Sequence, residues 1–334
     1  MEGASLSPTL EPELEPHAHV LRALLVVNPA ARGASRALPT VLQSFREAGV
    51  DCEIAETRAP FHATELVRAR IAPTMSAVDA VFTLGGDGTA MEVATALAEQ
   101  PDAPPLGILA LGTANVLARS LGIPLRPAQA VRALIGASTV AIDLGRIVGG
   151  PRFAIGLGIG LDASMIGGAS RLLKRRLGYI AYAWSAIRAG LRLERFTARL
   201  TVDGVTTEVE ASSILVANFG MVLGDLVCFG EQVGHRDGKL DVCVYSPRSL
   251  LDAGRIFWRM LRGGVSEDRC VRIITGRHVR IETDRPRPMQ ADGELIGLSP
   301  VEIRVEPNAI RLLAPSAAPR RWRLRRPYQI QSSR

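Results

Sequence analysis

A β-prone apolar run, Val81-Phe82-Thr83-Leu84, breaks into Gly85-Gly86-Asp87-Gly88-Thr89 and passes directly into a helix-like stretch from Ala90 to Glu99. Three glycines permit backbone torsions closed to other residues and let an anion approach the main chain. The start of the following helix adds unpaired N–H groups and the positive end of a dipole. The spacing therefore predicts a phosphate-binding turn. Asp87 inside it needs a separate reason, because a carboxylate repels phosphate. It could ligate a metal, take a proton from an acceptor hydroxyl, or hold the loop through hydrogen bonds. Two more Asp-Gly pairs, Asp237-Gly238 and Asp292-Gly293, read in the first place as turn formers, and the second leads straight into Glu294.

The surrounding pattern shows what must position these groups. From Leu21 to about Ile142, β-rich runs at Arg22–Asn28, Asp51–Glu56, Asp79–Leu84 and Leu106–Leu111 alternate with stretches of helical spacing. That alternation predicts a doubly wound parallel sheet, in which ligands bind beyond the carboxyl ends of the strands. Three of those ends carry turn chemistry: Asn28-Pro29 with Gly33, Gly85–Thr89, and Gly112-Thr113-Ala114-Asn115. After Asp143 strands crowd together, at Arg152–Ile159, Thr197–Val202, Thr206–Glu210 and Ser213–Asn218, with Asp203-Gly204 as a hairpin turn. Further β runs at Leu240–Tyr245, Val271–Thr275, Val279–Glu282, Met289–Ala291, Val301–Val305 and Ile310–Leu313 imply a mainly antiparallel second domain. Two helical stretches interrupt it, the basic amphipathic Ser170–Leu193 and Leu250–Leu261.

Composition narrows the class. The 334 residues suffice for two domains with real cores. The longer apolar stretches are glycine-rich or too short to span a bilayer, and the N-terminus has no signal-like flank, so a cytoplasmic location is expected. Cys52, Cys228, Cys243 and Cys270 are scattered without a C-x-x-C pair and read as free thiols. No G-x-S-x-G, H-E-x-x-H or Walker A run is present, which argues against serine hydrolase, zinc protease and P-loop chemistry. The formal charge of +7 is uneven. Residues 1–20 read as an acidic, disordered leader, whereas 319–334 hold six arginines and Trp322, a combination suited to an anionic membrane surface.

With these residues in view, the chain resembles the bacterial diacylglycerol kinase and lipid kinase family, relatives of the sphingosine and ceramide kinases. The pieces that carry the resemblance run in order: NPAARG (Asn28 to Gly33), GGDGT, PLGILALGTANVLARSLGIP (Pro105 to Pro124), IDLG (Ile142 to Gly145), GIGLDA (Gly158 to Ala163), DGKLDV (Asp237 to Val242) and MQADGE (Met289 to Glu294). Ala90-Met91-Glu92 keeps only the acid of the family's Asn-Glu pair, and Val216-Ala217-Asn218-Phe219-Gly220 keeps the family's Asn while the residues that follow, through Glu231, fit poorly.

The resemblance implies an α/β nucleotide domain like that of NAD kinases over residues 21–143 and a β-sandwich lipid domain over 144–305. A strand in 306–318 would return to the first domain. ATP contacts would fall on Asn28, Pro29, Gly33, Thr57, Gly85, Gly86, Asp87, Gly88, Thr89 and Thr113. The catalytic acids would be Glu294, Asp87 and Asp292, with Glu294 and Asp87 competing for the role of base. A structural Mg²⁺ would use the Asp237 side chain and the carbonyls of Gly234 and Lys239. The implied activity is ATP- and Mg²⁺-dependent phosphorylation of a lipid hydroxyl, foremost that of diacylglycerol. A sphingoid or ceramide kinase, an NAD kinase-like enzyme and a non-catalytic lipid-binding protein are the alternatives. Expected partners are the lipid and the inner membrane face, with peripheral attachment, and not nucleic acid; a homodimer is left open.

Overall fold

The computed structural model describes residues 19–71, 78–160, 194–218, 221–222, 227–228, 237–262 and 268–315. In the first half, β1 (Arg22–Val27), β2 (Asp51–Glu56), β3 (Ala80–Gly85) and β4 (Leu106–Ala110) lie parallel in the order β2-β1-β3-β4. β3 and β4 are buried along their whole length, which is why they read as unbroken apolar runs, while β2 at the edge is mostly exposed. Helices α1 (Ala34–Glu47), α2 (His62–Arg70), α3 (Asp87–Leu97), α4 (Val116–Ser120) and α5 (Pro127–Leu134) bury their apolar residues in the core built on this sheet. Phe45 of α1 meets Phe82 of β3 edge to face, with ring centroids 5.0 Å apart.

The second half supplies β5 (Ser138–Ile147), β6 (Arg152–Phe153), β7 (Gly156–Gly160), β8 (Phe196–Val202), β9 (Val205–Ala211), β10 (Ser213–Ala217), β11 (Met221–Val222), β12 (Val227–Cys228) and β13 (Leu240–Tyr245). Helix α6 (Leu250–Arg262) then precedes β14 (Val271–Gly276), β15 (His278–Thr283), β16 (Pro288–Ala291), β17 (Glu294–Leu298) and β18 (Val301–Ala314). β14-β13-β10-β7-β16-β17 form one antiparallel sheet. The parallel sheet continues through β18 into β15, β8 and β9, with β5 paired to β18. Phe196, Leu200, Ile281 and Ile303 from that extension pack with Leu157, Ile214, Val216 and Val242 of the antiparallel sheet in a single core. The result is an α/β domain followed by an antiparallel β-sandwich, the architecture the hydrophobic pattern predicts.

The differences have identifiable causes. The expected strand Arg152–Ile159 is broken at Ala154-Ile155, whose N–H groups are turned to the Asp292 carboxylate instead of a neighbouring strand. Val301–Val305 and Ile310–Leu313 are one strand, bulged between Glu306 and Ile310 where Pro307 has no N–H to offer the ladder. β17 was absent from the sequence expectation, and β5 runs through the expected boundary at 143/144. β18 starts at Val301 rather than after 305; its first part pairs with β15, and Leu312 pairs with Leu106 of β4. Arg152, nearly buried, ties the halves together by pairing with Glu306 at 2.6 Å and with Glu99, beyond the end of α3, at 3.6 Å. The Asp203-Gly204 hairpin forms as expected, with φ of 48° and 84° at the two turn residues. The leader through residue 18, the Ser170–Leu193 stretch, Gly234 and the basic tail lie outside the described residues. Among the described residues no helix is long and apolar enough to cross a membrane.

Candidate active site

The three strand-end loops of the α/β domain converge. The Asn28 amide accepts the N–H of Ala30 at 3.0 Å and donates to Thr89 Oγ1 at 3.1 Å, so the first loop is bonded to the third-strand loop. Gly85 is required by closeness: a Cβ there would lie 2.7 Å from Thr89 Oγ1. Gly86 and Gly112 face each other, and a Cβ on Gly112 would come within 3.0 Å of the Gly86 α-carbon and 2.7 Å of Asn115 Oδ1. Two glycine loops thus form a floor of bare backbone at the start of α3, the arrangement an oxyanion can approach. Asn115 Oδ1 is buried there without a partner.

Asp87 is the first residue of α3, and its carboxyl lies beside the backbone N–H groups of Asn115, Val116 and Leu117 at the start of α4. Burial raises its pKa, against the pull of these N–H groups and of the Arg119 charge. Arg119 also donates to the Ala114 carbonyl at 3.0 Å, so it belongs to this loop instead of a solvated helix face. Pro29, Gly33 and Thr113 are exposed around it, and Thr57 continues β2 with its N–H on the Val27 carbonyl at 2.8 Å.

From the other domain, β16 and β17 meet in a two-residue hairpin at Asp292-Gly293, with φ of 46° and 89°. Both residues must adopt positive φ in such a turn, which Asp tolerates and Gly prefers. Asp292 Oδ2 accepts Ala154 N–H at 2.8 Å, and its Oδ1 accepts those of Ile155 and Gly156 at 2.9 and 3.0 Å. Three of the four lone-pair positions are filled, so this carboxylate anchors the hairpin to the β6–β7 junction. Burial pushes its pKa up to about 6, with the Asp87 charge adding to the rise. The anchored turn presents Glu294, an exposed carboxylate, to the glycine loop: a Cβ on Gly88 would lie 3.4 Å from Glu294 Oε1. Three acids from two domains thus meet, Asp87 and Asp292 beside backbone N–H groups and Glu294 open to solvent.

The expected magnesium set is only partly within the described residues, because Gly234 is outside them. Asp237 Oδ1 accepts the N–H of Lys239 at 3.1 Å, a local turn bond. Nearby Asp241 has its carboxyl pushed up to about 6, by burial first and by the Asp237 charge second. Among the described residues no three His, Cys, Asp or Glu side chains converge on a metal-sized site.

Sequence reasoning gave no structural role to three residues. Fully buried Asp143, from the IDLG piece, accepts N–H groups of Gly238 and of Asn308 in the β18 bulge, both at 2.8 Å. Asn218 donates to the carbonyls of Asp143 and Ala154 at 2.7 and 2.8 Å. Glu92 accepts the Ala63 N–H of α2 at 3.1 Å and so ties α3 to α2, while Ala90 and Met91 are core residues. The signal available for Asp143 was a charged residue inside an apolar strand, which must be paired if buried.

The description "Diacylglycerol kinase catalytic domain" matches residues 22–147. "YegS C-terminal NAD kinase beta sandwich-like domain" matches residues 156–314. The chain belongs to the diacylglycerol kinase and lipid kinase family. A crystal structure titled "putative diacylglycerol kinase" from Bacillus anthracis str. Sterne superposes with a TM-score of 0.78 at 26% identity, covering 90% of this chain and 97% of that one. "Putative lipid kinase SaurJH9_0749" of Staphylococcus aureus (strain JH9) is 28% identical over 244 residues, 71% of this chain and 77% of its own length. "Uncharacterized protein sll0036" of Synechocystis is 32% identical over 239 residues, 70% of this chain; the match spans only 54% of that longer protein.

Proposed function

We propose that this chain transfers the γ-phosphoryl group of ATP to a lipid hydroxyl, with diacylglycerol as acceptor and phosphatidic acid as product. The observation that carries the reading is the approach of Glu294, on its anchored hairpin, to Gly88 of the phosphate loop. Phosphoryl transfer asks the protein for positioned phosphates and a proton acceptor and for little covalent chemistry. The glycine loop fits a triphosphate because it is the start of α3, where unpaired N–H groups carry the positive end of the helix dipole, and Gly88 in it is exposed. Magnesium, bound with the phosphates, would supply charge neutralisation for the transferring group.

The chain's own residues do the remainder. Asn28 and Thr89 brace the two loops, Asp87 holds the third loop against the first turn of α3, and Asp292 orients the hairpin. The lipid hydroxyl oxygen attacks the γ-phosphorus as the bond to the ADP oxygen breaks, and the hydroxyl proton passes to the Glu294 carboxylate. Glu294 suits this role better than Asp87, because it is exposed beside Gly88 whereas the Asp87 carboxyl is buried against the start of α4.

Incubation of the chain with γ-labelled ATP, Mg²⁺ and mixed micelles of diacylglycerol, sphingosine or ceramide, with NAD in a parallel reaction, tests this. Labelled phosphatidic acid is expected. Label on NAD, or on no acceptor, would refute it.

A further inference from the structure

Ala59-Pro60-Phe61-His62 is a tight turn closed by the His62 N–H on the Ala59 carbonyl at 3.3 Å. Proline holds its second position and Phe61 its third, with φ 66° and ψ −4°. Those torsions define a type II turn, whose third position demands positive φ and ordinarily takes glycine. A bulky residue there is strained, and strain of this kind clusters at sites of function. Burial does not compensate, because Phe61 is 70% exposed. Packing therefore gives no reason for an aromatic ring at this point.

The turn borders a cleft of about 570 Å³ whose walls include Pro29, Ile54, Thr57, His62 and Leu66. Phe61 stands on the turn between two wall residues, Arg58 and His62. The Arg58 N–H donates to His62 Nδ1 at 3.0 Å, which leaves Nε2 as the protonated nitrogen of the neutral ring. Pro29 of the cleft wall follows Asn28, whose amide donates to Thr89 Oγ1 of the phosphate loop at 3.1 Å. A molecule with its phosphates on Gly85–Thr89 that extends past Pro29 and Thr57 brings its other end beside the 59–62 turn.

We propose that Phe61 covers this cleft by stacking on the flat face of the nucleobase, and so positions the nucleotide and selects for a base-bearing ligand. This rests on the reading of the glycine floor as an ATP site. Each element of the turn has a part: Pro60 sets the torsion that throws the ring outward, and the His62–Arg58 bond fixes the turn against the wall. An aromatic face accepts any base, so the discrimination is between a nucleotide and a bare polyphosphate.

The test is calorimetric titration of the full chain with Mg-ATP and with inorganic tripolyphosphate, plus thermal melting, on the parent, Phe61→Leu, Phe61→Gly and Phe61→Trp. Leu and Gly should weaken ATP binding by about 5- to 150-fold, the range for loss of one base–aromatic stack, while tripolyphosphate binding changes less than about twofold. Trp should keep ATP affinity, and Gly should leave Tm unchanged or raised because it adopts positive φ without strain. ATP binding by Phe61→Leu equal to that of the parent overturns the inference, as does a parallel loss of ATP and tripolyphosphate. A parent that binds neither ligand overturns the ATP reading and the inference together.

Discussion

Replacing Asp292 by asparagine exchanges one carboxylate oxygen for an amide nitrogen that faces the N–H of Ala154, whose bond at 2.8 Å it removes. The remaining oxygen keeps the donors of Ile155 and Gly156 at 2.9 and 3.0 Å. Loss of a charge-assisted bond with two donors left facing costs about 2–4 kcal/mol. Against this stands the penalty the parent bears for ionising a buried carboxyl. Its folded pKa of about 6 lies above the ordinary 3.8, so the folded state holds the proton more tightly. Stability from this group is therefore fully present below pH 3.8 and falls as pH rises to about 6. The shift corresponds to at most about 3 kcal/mol above that window, and asparagine does not suffer it. At pH 7.5 the two terms nearly cancel and Tm should change little. At low pH the parent carboxyl is protonated, its bonds are no longer charge-assisted and no ionisation penalty offsets the mismatch at the Ala154 N–H, so the loss is about 1–3 kcal/mol and Tm should drop. Turnover behaves differently, because the repelled hairpin carries Glu294 away from Gly88, and a displacement of about 1 Å costs on the order of 10²-fold in kcat. Melting curves at pH 4.5 and 7.5, with kcat for lipid phosphorylation at 7.5, check both parts. Turnover within about threefold of the parent, or the same Tm change at both pH values, would refute the reasoning.

Glu294→Gln should lower kcat by at least about 10²-fold while leaving ATP affinity and the Mg²⁺ requirement unchanged, read from a magnesium titration of turnover. Rescue by excess Mg²⁺ would instead make Glu294 a metal holder and pass the base role to Asp87. Gly112→Ala should part the two glycine loops, since its Cβ would sit 2.7 Å from Asn115 Oδ1 and 3.0 Å from the Gly86 α-carbon. The expected cost is about 1–3 kcal/mol in chemical unfolding together with weaker ATP binding, and an unchanged Kd would show that the floor is not the phosphate site.

Local grammar carried much of this protein. The parallel strands announce themselves as unbroken apolar runs, since β3 and β4 are covered on both faces, and the Asp203-Gly204 and Asp292-Gly293 hairpins follow from residues that tolerate positive φ. Gly85–Thr89 was legible for the same reason: its requirements are set within five consecutive residues. The strand breaks were not legible, because the cause of the gap at Ala154-Ile155 is a carboxylate 137 residues away from Ile155 in the chain. The β18 bulge is likewise held by Asp143, 165 residues before Asn308.

The sequence alone determined which residues could bind phosphate and which acids could do chemistry, because torsional freedom, dipoles and charge are properties of short segments. It could not divide the acids among their roles. Only the tertiary structure gives them different surroundings, with Asp87 buried beside the start of α4, Asp292 accepting three N–H groups at the β6–β7 junction, and Glu294 exposed beside Gly88. The physical reason is that a carboxylate's function is set by the donors and the dielectric around it, and here those come from segments distant in sequence.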